Sequence, residues 1–334
     1  MSFIDPDFPL VELHRHLDGN VRLETILEIG LKNDLGLPAR TLEELRPYVQ
    51  VTEPKPSVLS FFEKFKWLTM VMIDYYACNR IAYENVEDAK NEGIDHIELR
   101  FSPWFMAETH HLDPIAVTEA VIDGIHRGIQ DHNISVKLIG IISRTYGPEK
   151  CLKELEALLT QKENIVALDL AGDEVNYPAS LFEEHFKIAH DAGWHSCPHA
   201  GESAGPESIW EAINLLGAER IGHAVTAIQD PALMDYISSN HIGIESNLTS
   251  NIQTTTVPDY ANHPLKTFLQ SGIKASLSTD DPGISAIDIH HEYNIAAVEA
   301  GLSIEEIHQS QRNALECAFL SDIEKDHLIS TKVK

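Results

Sequence analysis

Short apolar runs rich in β-branched residues recur along the chain. They fall at Leu10–Leu13, Ile97–Phe101, Val136–Ile142, Ile165–Leu170, Trp194–Cys197, Arg220–Gly222, Ile242–Glu245 and Lys274–Leu277. From the second run onward, the gaps carry apolar residues three and four apart, the period of an amphipathic helix. These helical stretches are Leu112–Gly128, Lys150–Gln161, Pro178–Ala192, Glu207–Leu216, Pro231–Ser239 and Pro264–Ser271. Gly193, Gly217, Asn240 and Gly272 stand just past helix ends, where a left-handed C-cap is expected. Regular strand–helix alternation specifies βαβ units and a parallel sheet. Eight such units predict an α/β fold of the (β/α)8 TIM-barrel type.

The first crossover is longer, at about 80 residues. Within it Val21–Lys32, Thr41–Val49, Val58–Val71 and Ala77–Asn91 follow the helical pattern. They predict a helical layer inserted over about residues 21–91, either a lid at the barrel mouth or a subdomain that only adds core. A helical tail is expected over Ile304–Phe319, with Ser303 as N-cap followed by Glu305 and Glu306. No repeat, low-complexity segment or linker interrupts the pattern, so residues 1–334 are expected to form a single domain.

Composition narrows the function classes. Of 334 residues, 43% are apolar and 23% charged, ordinary values for a globular protein and against a disordered or fibrous chain. Lys and Arg number 25 against 52 Asp and Glu, a formal net charge of −27. Such a field repels phosphate backbones and speaks against nucleic-acid or anionic-membrane partners. Cys78, Cys151, Cys197 and Cys317 form no C-x-x-C pair, so neither a disulfide framework nor a cysteine zinc ribbon is expected. No signal-peptide pattern and no apolar run near the roughly 20 residues of a membrane span is visible, and a cytoplasmic location is expected.

The 18 histidines change the picture, because several follow predicted strands. In a parallel barrel, reactive groups belong at the C-terminal strand ends. The first run leads into His14-Arg15-His16-Leu17-Asp18, the fourth into Gly172-Asp173-Glu174, and the fifth into His199-Ala200-Gly201-Glu202. The sixth leads to His223, the seventh to Ser246-Asn247, and the eighth to Asp280-Asp281. Residues i and i+2 of a strand share a face, so His14 and His16 can address one ion while Arg15 points away. His199 and Asp280 are natural further ligands for a metal that accepts imidazole and carboxylate; a capping histidine and a helix N-cap are the plainer readings. Glu202, three residues beyond His199, suits a general acid or base beside the metal, or a helix first-turn glutamate. His223 can orient or deprotonate a water, or satisfy a carbonyl.

Taken in order, the segments "ELHRHLDGN" (12–20), "ELRFSP" (98–103), "ALDLAGDE" (167–174), "HAGE" (199–202), "RIGHAV" (220–225), "IESNLTSN" (244–251) and "STDDPG" (278–283) resemble the adenosine deaminase family of metal-dependent hydrolases, in its short bacterial form. The resemblance implies one zinc ion per chain held by His14, His16, His199 and Asp280. It implies Glu202 as proton donor to purine N1, and His223 as the residue that positions the attacking water and stabilises its charge. It further implies that Asp281 and the Gly172 N–H bind the purine edges, and that Asp18, with His16 nearby, contacts the ribose. The implied reaction is hydrolytic deamination of adenosine, and of 2′-deoxyadenosine, to inosine and ammonia in purine salvage. The partner is then a small purine nucleoside.

Three residues depart from the family pattern: Pro198 before His199, Ala224 after His223, and Asn247 on the seventh strand. They bear on substrate fit and rate rather than reaction type. A nucleic-acid deaminase of the other zinc fold would need H-x-E and P-C-x-x-C, which this chain lacks. A binuclear site with a bridging lysine is disfavoured because Asp169-Leu170-Ala171-Gly172 contains none. Adenine or a modified adenine nucleoside is the alternative substrate, and a non-catalytic purine-binding barrel the alternative class. A nucleotide would need basic residues for its phosphate; Arg100 and Arg144 are expected instead to be structural ion-pair partners.

Overall fold

The computed structural model describes residues 2–51 and 58–332. Its strands are β1 (Val11–His16), β2 (His96–Phe101), β3 (Ser135–Ser143), β4 (Ile165–Ala171), β5 (His195–Ser196), β6 (His199–Ala200), β7 (Arg220–His223), β8 (Gly243–Ser246) and β9 (Ala275–Leu277). Neighbours pair in parallel, β1 through β5 in one sheet and β6 through β9 in the other. Each of the eight predicted runs becomes a strand, and helices occupy the gaps between them.

The fifth predicted strand is broken in two at Pro198, for a local reason. Proline brings no N–H to the ladder. The next N–H, of His199, goes to the Asp169 carboxylate at 3.2 Å instead of a strand carbonyl. Cys197 N–H still reaches Leu168 O at 3.0 Å, and Gly222 N–H reaches Pro198 O at 3.0 Å. Glu219 N–H already reaches Ser196 O at 2.9 Å, so the segment keeps β4 on one side and β7 on the other across the break. At the other seam, Asp280 N–H donates to His14 O at 2.9 Å and His16 N–H to Asp280 O at 2.8 Å, around a parallel bridge between Arg15 and Asp280. With β5 and β6 as halves of one strand, the architecture is (β/α)8, and both seams lie among the predicted site residues.

The long first crossover folds as four helices, α1 (Leu23–Lys32), α2 (Leu42–Val49), α3 (Val58–Met70) and α4 (Tyr75–Asn91). Thr41 caps α2 through Glu44 N–H, and Asp74 caps α4 through Ala77 N–H. Leu45, Val49, Leu68 and Val71 are buried in the same apolar cluster as the strand residues Leu99 and Leu168. The layer therefore adds core. It also reaches the barrel mouth, where Val51 N–H donates to Ile284 O at 2.8 Å and Gln50 Nε2 to Gly283 O at 3.1 Å.

Helix ends follow the expected chemistry with one correction. Gly193, Gly217 and Gly272 have φ of 89°, 62° and 76°. Asn240 does not take the left-handed conformation: its φ is −99°, its amide donates back to Tyr236 O at 2.9 Å, and the turn falls on His241 at φ 57°. The helix Ile304–Cys317 begins in a full capping box between Ser303 and Glu306, and a further helix, Asp322–Lys332, follows it.

Candidate active site

β1 extends three residues beyond the predicted run, so His14 and His16 lie inside the strand. Their Nε2 atoms stand 3.3 and 3.2 Å from Asp280 Oδ1. Arg15 is turned away to Glu12 and Glu92, each at 2.6 Å. From β6, His199 places Nε2 3.3 Å from His16 Nε2. From the end of β7, His223 Nε2 lies 3.9 Å from Glu202 Oε2 and 3.8 Å from Asp280 Oδ2. Six predicted residues thus converge: His14, His16, His199, His223, Glu202 and Asp280.

The second circle is looser. Asp18 Oδ1 is 3.8 Å from His16 Nδ1, and its other oxygen accepts Ser102 N–H at 2.9 Å. Asp281 is buried, and its Oδ1 has no hydrogen-bond partner. A Cβ at Gly19 would collide with that same oxygen, so a larger residue there would have to displace the Asp281 carboxyl. Gly172 follows β4 at φ +109°, beside Thr145 and Arg144. Three residues at the site are left-handed without being glycine: His223 at φ 64°, Ala224 at φ 51° and Asp280 at φ 67°. Such conformations cost of order 1–3 kcal/mol each and cluster at functional sites.

Whether this set suits a metal is decided by the outer nitrogens. His14 Nδ1 lies 2.6 Å from Glu245 Oε2, and His199 Nδ1 lies 2.8 Å from Asp169 Oδ1. An ionised carboxylate only accepts, so each Nδ1 carries the proton and each Nε2 presents a lone pair. His14 Nε2 is buried and has no hydrogen-bond partner. Burial lowers the pKa of both rings, helped by Arg100 at His14; His199 falls to about 3 even with Asp169 opposing. The Asp280 pKa is lowered as well, which for a carboxyl favours the charge: against the cost of burial, the neighbouring His14 and His16 rings hold it well below the usual carboxylate range. At His16 burial is outweighed by the neighbouring Asp281 and Asp280 carboxyls, which raise the ring to about 9, so a cation there would displace a proton. Two neutral imidazoles, a third ring and an ionised carboxylate are a donor set for a divalent cation such as zinc, and the residues present fit one. Two overlapping groups lie within 4.8 Å: His14, His199, His223 and Asp280, and His16, Asp280 and Asp281. Distance alone leaves open whether His16 or His223 completes the set.

Glu202 sits on the loop leaving β6, ahead of the helix Pro206–Leu216, so it is not a first-turn residue. Burial raises its pKa, His223 opposes, and the Asp280 carboxylate adds to the rise. Asp281 is raised further, by burial and then by the charge of Asp280. Both carboxyls are thereby disposed to carry a proton and to act as hydrogen-bond donors.

Apart from Arg100 and Arg144, the supporting residues were not assigned from sequence. Glu174 accepts the N–H groups of Gly201, Glu202, Ser203 and Ala204 at 2.5, 3.1, 2.9 and 3.1 Å, and so shapes the loop that carries Glu202. Below the histidines, Arg100 joins Asp169 at 3.0 Å to Glu245 at 2.6 Å, and Arg220 joins Glu245 at 2.7 Å to Glu98 at 2.5 Å. Arg100 is the expected ion-pair partner. Arg144 is not: its guanidinium donates to the carbonyls of Leu170, His199 and Tyr177 at 2.9, 2.7 and 3.3 Å. The available signal was a charged residue inside an otherwise apolar strand, at Glu98, Arg100, Asp169 and Glu245, since a buried charge requires a partner. Outer carboxylates of this kind typically contribute 10–100-fold to metal affinity. Asp169→Asn is therefore expected to weaken metal binding about 10–100-fold in a chelator competition; unchanged affinity would remove Asp169 from that role.

Comparison with known proteins gives a consistent result. The family model described as adenosine deaminase matches residues 9–334. The adenosine deaminase of Salmonella typhimurium is 57% identical over 322 residues, which is 96% of this chain and 97% of that protein. Among solved structures, an adenine deaminase from Arthrobacter aurescens matches with a TM-score of 0.89 at 24% identity, covering 97% of this chain and 98% of that one. This is a likeness of fold. The N6-mAMP deaminase of Arabidopsis matches with a TM-score of 0.84 at 26% identity, covering 98% of each chain.

Proposed function

The chain belongs to the adenosine deaminase family, and from that premise we propose that it hydrolyses adenosine, and 2′-deoxyadenosine, to inosine or its deoxy form and ammonia. It is a hydrolase acting on a C–N bond. The observation that carries the reading is the placement of the Glu202 carboxyl 3.9 Å from His223 Nε2, both facing the cluster of His14, His16, His199 and Asp280. Residues 1–334 act in this reading as one catalytic unit.

His14, His16, His199 and Asp280 would hold a single zinc ion. When bound, such an ion supplies Lewis-acid activation that brings the pKa of water from about 15.7 toward about 7. The chain supplies the rest. His223 directs an imidazole nitrogen at the position of the attacking oxygen. Glu202 donates its proton to N1 of the purine as that oxygen adds to C6, so negative charge does not build on the ring. Of the two protons the water gives up, one goes to the amino group as the C6–N bond breaks and ammonia leaves, and one restores Glu202. Asp281, protonated, donates from its unpaired carboxyl to an acceptor nitrogen on the far edge, and the Gly172 N–H addresses the other edge. Asp18 is anchored by Ser102 N–H through one oxygen, which leaves the other for a ribose hydroxyl.

The partner is a small purine nucleoside, and neither nucleic acid nor membrane is part of the reading. No described helix is long and apolar enough to cross a membrane, which is compatible with the cytoplasmic location we propose. The test is ammonia release by the purified protein from adenosine and, in parallel, from adenine. Release from adenosine supports the proposal; release from adenine alone overturns the substrate while keeping the chemistry. Asp18→Ala is expected to reduce kcat/KM for adenosine by at least about tenfold, the cost of losing one hydrogen bond to a charged group. Any residual activity on adenine should change little, and an equal loss on both substrates would refute the ribose contact.

A further inference from the structure

The choice between His16 and His223 as the third imidazole ligand is made by a chain of hydrogen bonds behind His223. It starts at a donor whose direction is fixed. Leu265 opens the helix Leu265–Gln270, so its N–H has no partner within that helix and donates to His263 Nδ1 at 3.1 Å. A backbone N–H can only donate, so His263 Nδ1 must be the acceptor and its ring proton sits on Nε2. That proton goes to Asn251 Oδ1 at 3.1 Å. The amide orientation of Asn251 is thereby set. Its Nδ2 faces Thr256 Oγ1 at 3.2 Å and His223 Nδ1 at 3.0 Å. An amide NH2 is again only a donor, so His223 Nδ1 accepts and its own proton lies on Nε2.

We propose that His263 and Asn251 are positioning residues that lock His223 in the tautomer bearing its proton on Nε2, aimed between Glu202 and Asp280. His263 is buried, and burial together with His223 pushes its pKa down to about 3, in keeping with a neutral ring. Asn247 Nδ2 also stands 3.3 Å from His223 Nδ1. Its Oδ1 is buried without a partner, so no outside group sets its direction and it follows the tautomer rather than defining it.

Two consequences separate this arrangement from its alternatives. A nitrogen that carries a proton has no lone pair for a cation, so His223 is excluded as a ligand and His16 completes the set with His14, His199 and Asp280. The contrast is chemical: the outer nitrogens of His14 and His199 meet carboxylates, which leave Nε2 bare, while that of His223 meets amide donors, which keep Nε2 protonated. Further, His223 cannot take a proton at Nε2. It donates a hydrogen bond to the attacking oxygen and stabilises charge there. This inference rests on the proposed reaction only in placing that oxygen beside His223.

The decisive measurement is made on the parent protein, with one variant used only for assignment. Long-range 1H–15N correlation on metal-loaded protein labelled at histidine reports the tautomer of each ring, with His223 assigned from its absence in His223→Asn. A proton on Nε2 of His223 is the expected result, and a proton on Nδ1 overturns the proposal. Asn251→Asp replaces the amide donor with an acceptor and is expected to move the His223 proton to Nδ1. It should lower kcat on adenosine by about 10²–10³-fold, as for loss of one charge-stabilising donor, with KM little changed. An unaltered tautomer with unaltered kcat overturns it. The tautomer is read without substrate. Protein with the Nε2 proton but no action on adenosine would overturn the proposed function alone, and an active protein with the Nδ1 proton would overturn the relay alone.

Discussion

Glu202→Gln should lower kcat on adenosine by about 10²–10⁴-fold, the usual range for loss of a general acid, while KM and metal content stay near those of the parent protein. The side chains are nearly the same size, so the space beside His223 stays filled. The loop should also hold its shape, because Glu174 grips it through the backbone N–H groups of residues 201–204 and not through the Glu202 side chain. What changes is proton donation. A carboxyl whose pKa is raised by burial can release a proton to N1 as the oxygen adds at C6, whereas an amide cannot. Steady-state ammonia release together with elemental analysis of bound metal checks both halves of the expectation. Turnover within about tenfold of the parent would fall below the range for this role and assign the acid elsewhere.

Removing the metal should have a comparable effect. Dialysis against a strong chelator is expected to abolish ammonia release, and added Zn2+ to restore it. Asp280→Ala should lower metal affinity by more than the roughly 10–100-fold typical of an outer partner, because Asp280 lies within 3.3 Å of His14 Nε2 and within 3.2 Å of His16 Nε2. It also accepts from Ser250 Oγ at 2.6 Å. The variant should still fold around the site. The bonds that join Asp280 to β1 are main-chain ones, His16 N–H to Asp280 O and Asp280 N–H to His14 O, and alanine preserves them. Full metal occupancy in Asp280→Ala would strike Asp280 from the ligand set.

The distance between Asp169→Asn and Asp280→Ala is informative in itself. Asp169 acts through the tautomer of His199 and through Arg100, whereas Asp280 presents its own oxygen to the cluster. A graded loss of affinity, smaller for Asp169, is what that geometry requires. Equal losses would mean that the outer carboxylates hold the imidazoles in place more tightly than their 2.6 and 2.8 Å bonds indicate.

Much of this was legible in the chain before any coordinates. The period of two or 3.6 in apolar positions is a local property, and it located the strands and most of the longer helices of a (β/α)8 fold to within a few residues, though not the helices Leu248–Gln253 and Asp322–Lys332. The C-terminal ends of parallel strands must converge, so the polar residues that follow those runs could be gathered on paper into one site. The ordered motifs then pointed to the family to which the chain belongs. Pro198 was visible as a residue that costs the ladder an N–H, and the strand breaks there.

What only the tertiary structure decided are pairings between residues far apart in sequence. His14 and Glu245 are separated by 231 positions, Arg100 and Glu245 by 145, and Thr279 and Glu12 by 267. No periodicity or spacing encodes which buried carboxylate meets which imidazole. Yet that meeting determines whether a histidine offers a lone pair or a proton. The cap at Asn240 failed for a smaller version of the same reason, since its side chain found Tyr236 O and passed the turn to His241. The residue types that can do the chemistry are thus written in the sequence, because catalysis requires particular functional groups at strand ends. The protonation of each group is settled by neighbours that folding brings within 3 Å or so, and those neighbours come from the rest of the barrel.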